Sequence, residues 1–135
     1  MASKSLKDLQ PKVQLMAEEF VQKCAEAGIE ILIYCTLRSK EEQNVLYAQG
    51  RTTDGKIVTN ARGGDSWHNY GCAFDWVPVI AGKLQWDNMP LYARAGIIAE
   101  SVGLEWAGRW TGKLKETAHC QFRDGRSLDD MKKGG

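Results

Sequence analysis

The chain has 135 residues, enough for one domain with a buried core and too few for a catalytic domain joined to a second of full size. Eighteen Lys and Arg face seventeen Asp and Glu with no basic block, which argues against nucleic acid or an anionic membrane as partner, and no apolar run is long enough for membrane insertion. The four cysteines, Cys24, Cys35, Cys72 and Cys120, are widely spaced with no CxxC pair, a pattern of free thiols rather than of a disulfide framework.

The first residues, MASKSLKDLQPK, have no apolar signal-peptide core, so synthesis in the cytoplasm is expected. Val13, Ala17, Phe20, Val21 and Cys24 then recur at helical spacing between Pro11 and Gly28, which predicts an amphipathic helix. IEILIYCTL follows as a buried strand that delivers Arg38 and Ser39 at its end. Ser39 and Glu42 have capping-box spacing, so EEQNVLYAQ should form a short helix stopped by Gly50. Asp54-Gly55, Asn60 and Gly63-Gly64 mark residues 52–64 as loop. A second strand covers Ala73 to Ile80, turns at Ala81-Gly82-Lys83 and returns through Leu84 to Trp86. Asp87 or Asn88 caps a helix from Pro90 to about Val102, closed by Gly103. Two short strands at Leu104 to Trp106 and Ala118 to Arg123, then a helical turn in SLDDMKK, complete a mixed α+β domain spanning residues 1–135 with no repeat or linker.

The chain's only two histidines each have a carboxylate nearby: His68 lies seven residues before Asp75, and His119 three after Glu116. Zinc needs about four ligands drawn from imidazole, thiolate and carboxylate, with one position left to water in a catalytic site; His68, Asp75 and His119 supply three. Strand alternation puts Ala73 and Asp75 on one face, and likewise His119 and Gln121, leaving Cys72 and Cys120 to the opposite, core-facing side. Glu116, just off the strand, is the candidate base for a zinc-bound water. Each motif taken singly is common as a surface pair or a satisfied core group; together they use every histidine the chain has. Of the five tryptophans, Trp67 and Trp110 are flanked by polar or glycine residues and are expected to be the exposed pair, available to a glycan.

The sequence resembles the zinc peptidases that include D-alanyl-D-alanine carboxypeptidases and dipeptidases and the L-alanyl-D-glutamate endopeptidases of phage lysis cassettes and wall turnover. Their SxHxxGxAxD motif stands complete as Ser66, His68, Gly71, Ala73 and Asp75, and their ExxH as Glu116 and His119; LRSKEEQNVLYAQGRT and VTNARGGDSWH extend the likeness over about Leu6 to Leu128. The resemblance implies a Hedgehog/D-Ala-D-Ala peptidase-like fold, a central mainly antiparallel sheet with flanking helices. It implies one Zn2+ held by His68, Asp75 and His119, Glu116 as the base, and Arg38 as stabiliser of the developing oxyanion or holder of the substrate. Ser66, Gln43 and Trp67 are the candidate substrate contacts.

The short chain without signal or wall-binding module looks most like a phage endolysin. It is expected to act as a monomer on the peptidoglycan stem peptide, between L-Ala and D-Glu, reaching the wall or periplasm from the host cytoplasm through a holin. The alternatives are a D-alanyl-D-alanine carboxypeptidase or dipeptidase with the same centre, and a non-catalytic zinc-binding module of the same fold.

Overall fold

The computed structural model describes residues 2–111 and 115–134. Helix α1 (Pro11–Glu26) starts with proline at its first position, where the missing N–H costs nothing. Val13, Ala17, Phe20 and Cys24 form its fully buried stripe, and Gly28 turns the chain with a φ of +81°. Strand β1 (Glu30–Cys35) follows, then helix α2 (Lys40–Ala48), opened by the reciprocal Ser39–Glu42 capping box.

The central strand β2 (Ala73–Ile80) returns through a tight turn into β3 (Lys83–Leu84). Helix α3 (Met89–Ser101) is capped by the Asn88 side chain, which accepts from the Leu91 amide. Strands β4 (Glu105–Trp106) and β5 (His119–Gln121) and the capped helix α4 (Leu128–Lys132) complete the chain.

The strands pair antiparallel in the order β1-β2-β5-β4, with β3 on the far end of β2. Residues directly opposite across a ladder share a face, so the register sorts the side chains. Phe74 opposes Cys120, and Cys120 opposes Trp106; this row packs beneath α1 and α3. Phe20 of α1 stands 5.1 Å from Trp76, and Trp76 stands 5.1 Å from Tyr92 of α3, ring centre to ring centre. On the other face Asp75 opposes His119, and Ala73 opposes Gln121, which in turn opposes Glu105.

A register shift in β1 adds one residue to that second face. Ile33 pairs with Trp76, but Cys35 pairs with Asp75, so a bulge at Tyr34 places Cys35 beside the aspartate.

Two tryptophan positions differ from expectation. Trp67 and Trp110 are half-buried, while Trp86 is the exposed one, lying beyond β3 and edge-on to Tyr34. The returning strand is too short to carry Trp86 into the sheet.

Trp106 anchors the loop that follows it. Its indole N–H donates to the Thr117 carbonyl at 2.8 Å, and its ring lies against Gly96 of α3 and Gly108, where any Cβ would overlap the indole. Gly96→Ala should therefore lower stability by about 1–3 kcal/mol through overpacking, despite alanine's better helix propensity. Urea unfolding of the two proteins checks the sign.

Candidate metal centre and active-site cleft

His68 sits in a single 3-10 turn, Trp67–Tyr70, which Ser66 caps: its hydroxyl accepts from the His68 amide while Asn69 Oδ1 accepts from the Ser66 amide. Gly71 ends the turn in the left-handed region at φ +70°, and a side chain there would also press on Asp8 and Gln10. The Arg38 amide donates to the His68 carbonyl and Asn69 Nδ2 donates to the Arg38 carbonyl, tying this turn to the end of β1.

The rings are oriented by what lies behind them. His68 Nδ1 is 2.8 Å from the Thr36 carbonyl, which only accepts, so Nδ1 carries hydrogen and Nε2 is the nitrogen facing Asp75 Oδ1 at 3.1 Å. His119 Nε2 is 2.9 Å from Gln121 Oε1, and Gln121 Nε2 donates to Glu105, so the amide offers its oxygen to the ring. His119 Nδ1 is thereby left to face the same Asp75 Oδ1, also at 3.1 Å.

Two imidazole nitrogens thus converge on one carboxylate oxygen in a place where His68 and His119 are both buried. The convergence needs positive charge, from a proton or from a metal. Ligands of a tetrahedral zinc with bonds of about 2.0–2.1 Å lie roughly 3.3 Å apart, close to the 3.1 Å between each of these nitrogens and Asp75 Oδ1. Two imidazoles and a carboxylate are donors of the kind zinc takes.

Without metal a proton on His68 supplies that charge. Burial opposes a charged His68, but the charge and hydrogen bond of Asp75 override it and push the imidazole up to about 10. Burial alone would raise Asp75; the facing imidazoles hold it well below the usual carboxylate range.

Around this centre Arg38 Nη2 lies 3.8 Å from Asp75 Oδ2 and 3.2 Å from Cys35 Sγ. Its Nη1 donates to Gln43 Oε1 at 2.9 Å. Gln43 had been expected to reach substrate; it is fully buried instead, and its amide nitrogen donates to Ala61 and Thr59, so it holds Arg38 and the 59–61 loop together. Glu116 is the exposed member, its Oε2 3.8 Å from His119 Nδ1.

Cys35, His68 and Asp75 are the group, among the described residues, whose donor atoms all lie within 4.8 Å of one another, the sulfur being 3.7 Å from His68 Nδ1; His119 meets Asp75 but is not part of that group. Cys35 had no sequence signal, because only the bulge in β1 brings it here.

A cleft of about 980 Å³ crosses the centre. Its lining includes His68, Asp75, His119 and Glu116 with Arg38, and also Ser66, Trp67, Trp110 and residues 58–61. Ser66 and Trp67 thus lie where a substrate could touch them, Ser66 while also capping the His68 turn.

The sequence model of the D-alanyl-D-alanine carboxypeptidase (VanY) family matches residues 6–121. The peptidoglycan L-alanyl-D-glutamate endopeptidase CwlK of Bacillus subtilis (strain 168) is 37% identical over 124 residues, covering 85% of this chain and 74% of that protein. The L-alanyl-D-glutamate peptidase of Listeria phage A118 is 31% identical over 110 residues, 79% of this chain and 36% of the phage protein. Among solved structures, the L-Ala D-Glu endopeptidase ChiX of Serratia marcescens superposes with a TM-score of 0.68 at 20% identity, covering 97% of this chain and 92% of that one. A vancomycin-resistance D,D-pentapeptidase VanY, in complex with Zn(II), superposes with a TM-score of 0.65 at 13% identity, covering 93% and 76%.

The shifts of His68 and Asp75 set the pH response of the metal-free protein. A raised His68 stabilises fully below its ordinary value of 6.5 and loses that contribution as pH rises through about 10. A depressed Asp75 stabilises above its ordinary 3.8 and loses the contribution as pH falls further. Thermal unfolding in chelator should therefore show the pair's contribution greatest between these two ordinary values. Asp75→Asn should remove the decline on the alkaline side; an unchanged alkaline limb would assign that decline to other groups.

Proposed function

The chain belongs to the D-alanyl-D-alanine carboxypeptidase (VanY) family, and from that premise we propose that it is a zinc-dependent peptidoglycan endopeptidase cutting between L-Ala and D-Glu of the stem peptide. The observation that carries this reading is the convergence of His68 Nε2 and His119 Nδ1 on one Asp75 oxygen within an open cleft.

His68, Asp75 and His119 would hold the ion. Zinc, when bound, supplies Lewis acidity that polarises a peptide carbonyl and makes a water easier to deprotonate. Glu116, at the cleft and free of burial, takes the proton of the attacking water and delivers it to the departing amine. Arg38, permanently charged and clamped by Gln43, offers its guanidinium to the oxygen that gains negative charge. Ser66 and Trp67, in the lining of the cleft, contact the bound peptide.

The choice of an internal bond is supported by the relatives named as L-alanyl-D-glutamate peptidases.

Among the described residues no helix is long and apolar enough to cross a membrane. In the endolysin role we assign, a holin-type pore gives the enzyme access to the wall. Expression in intact cells should leave them unlysed until the membrane is permeabilised, and lysis without a pore would count against the route.

Digestion of purified peptidoglycan should yield new D-Glu amino termini by mass spectrometry, lost with chelator and restored by zinc. Release of free D-Ala instead would move the assignment to a carboxypeptidase. Glu116→Ala should retain zinc and lose roughly 10²–10⁴-fold in kcat; full activity in that variant would remove Glu116 from the mechanism.

A further inference from the structure

A side chain outside the ligand set holds one of the proposed ligands from behind. Gln121 follows His119 by two residues on β5, so both face the cleft side of the sheet. It is only 4% exposed, and its amide is committed at both ends. The oxygen lies 2.9 Å from His119 Nε2, and the nitrogen donates to Glu105 Oε2 at 3.3 Å.

Glu105 is fixed in turn. Arg123 donates to both of its carboxylate oxygens, from Nε at 2.9 Å and from Nη2 at 2.6 Å. The strand register supports the same row, because Gln121 stands directly between Ala73 and Glu105 across β2, β5 and β4. Small Ala73 leaves the amide unobstructed on one side, and Glu105 fixes it on the other.

An unsupported amide could present either end to the ring. If its nitrogen faced His119 Nε2, that ring nitrogen would have to accept, and the hydrogen would move to Nδ1, the atom facing Asp75. The Glu105 carboxylate, which only accepts, excludes that arrangement by requiring the amide nitrogen for itself.

We propose that Gln121 is a positioning residue that sets the His119 tautomer so that Nδ1 is free to bind metal, with Glu105 and Arg123 fixing the direction of its amide. The inference rests on the zinc reading of the site above. Its effect falls on metal affinity first, because a tautomer with hydrogen on Nδ1 must be abandoned before that nitrogen can ligate. Outer hydrogen bonds to a ligand histidine typically carry about 10–100-fold in metal affinity.

Gln121→Met keeps the size of the side chain and removes the acceptor. The double variant Gln121→Glu/Glu105→Gln keeps an acceptor oxygen for the ring and returns an amide N–H to the 121–105 pair, which two carboxylates would lack. Zinc affinity is measured by chelator competition for the wild type and both variants. In parallel, the His119 ring N–H is followed by NMR in isotopically labelled metal-free protein. Gln121→Met is expected to lose about 10–100-fold in zinc affinity. Its ring N–H should exchange rapidly with solvent where the wild type's is protected. The double variant should restore both toward wild type.

A merely structural role would lower the melting temperature of both forms of the Met variant without a selective loss of zinc binding. Equal zinc affinity in the Met variant and wild type would overturn the inference while leaving the zinc site intact. So would an affinity loss in the double variant as large as that in Gln121→Met. No zinc binding by the wild type would instead strike the proposed function, and this inference with it.

Discussion

Two imidazole nitrogens directed at one carboxylate oxygen, each 3.1 Å away, need positive charge between them, and much of the surrounding structure makes that arrangement hold. Neither ring is free to turn aside. The Thr36 carbonyl fixes His68 from behind and the Gln121 amide fixes His119, so the lone pairs can point nowhere else. In the metal-free protein a proton on His68 meets the demand. A divalent ion has to displace it, which links metal binding to pH.

The sheet converts this local demand into a fold. Asp75 and His119 are neighbours because β2 and β5 pair antiparallel in one register, and a slip of one residue between the strands would put the two on opposite faces. That register is secured from the opposite face, where Phe74, Trp76, Cys120 and Trp106 pack under α1 and α3. The core therefore specifies the site: the residues that bury the helices alternate with those that line the cleft. Trp106 acts on both sides of this division. Its ring fills the space left by Gly96 and Gly108, and its indole N–H secures Thr117, next to Glu116.

Much of this was legible in the sequence because it depends on local rules. The stripe of α1, the Ser39–Glu42 capping box, the span of β2 and a cap at Asp87 or Asn88, which the structure gives to Asn88, follow from spacing and cap chemistry over a few residues. Strand alternation likewise put Gln121 on the His119 face. The departures arise where distant segments decide. Gln43 reads as a polar residue on a short exposed helix, yet the loop at residues 59–61 folds back over it and takes both amide hydrogens. Cys35 lies in an apolar strand and reads as core; a bulge sets it against Asp75, and nothing in the local pattern marks that bulge. Trp86 reads as part of a strand that in fact ends two residues earlier.

The nearness of Cys35 bears on the choice of donors in the proposed centre. A third ligand from the cysteine in place of His119 would bring a second negative charge beside Asp75 and cancel the charge of a divalent ion. With two imidazoles and one carboxylate, one net positive charge remains to polarise a carbonyl. The outer contacts favour the same division. Gln121 and Glu105 are built behind His119, whereas the cysteine sulfur takes a hydrogen bond from Arg38 Nη2 at 3.2 Å. Drawing that sulfur to a metal would take from Arg38 one of the partners that hold its guanidinium beside Asp75. Cys35 fits better as a support for the arginine than as a ligand, which leaves the bulge of β1 a physical purpose: it fills the space behind Arg38 with a polarisable atom that accepts weakly and leaves the positive charge of the guanidinium available to the cleft.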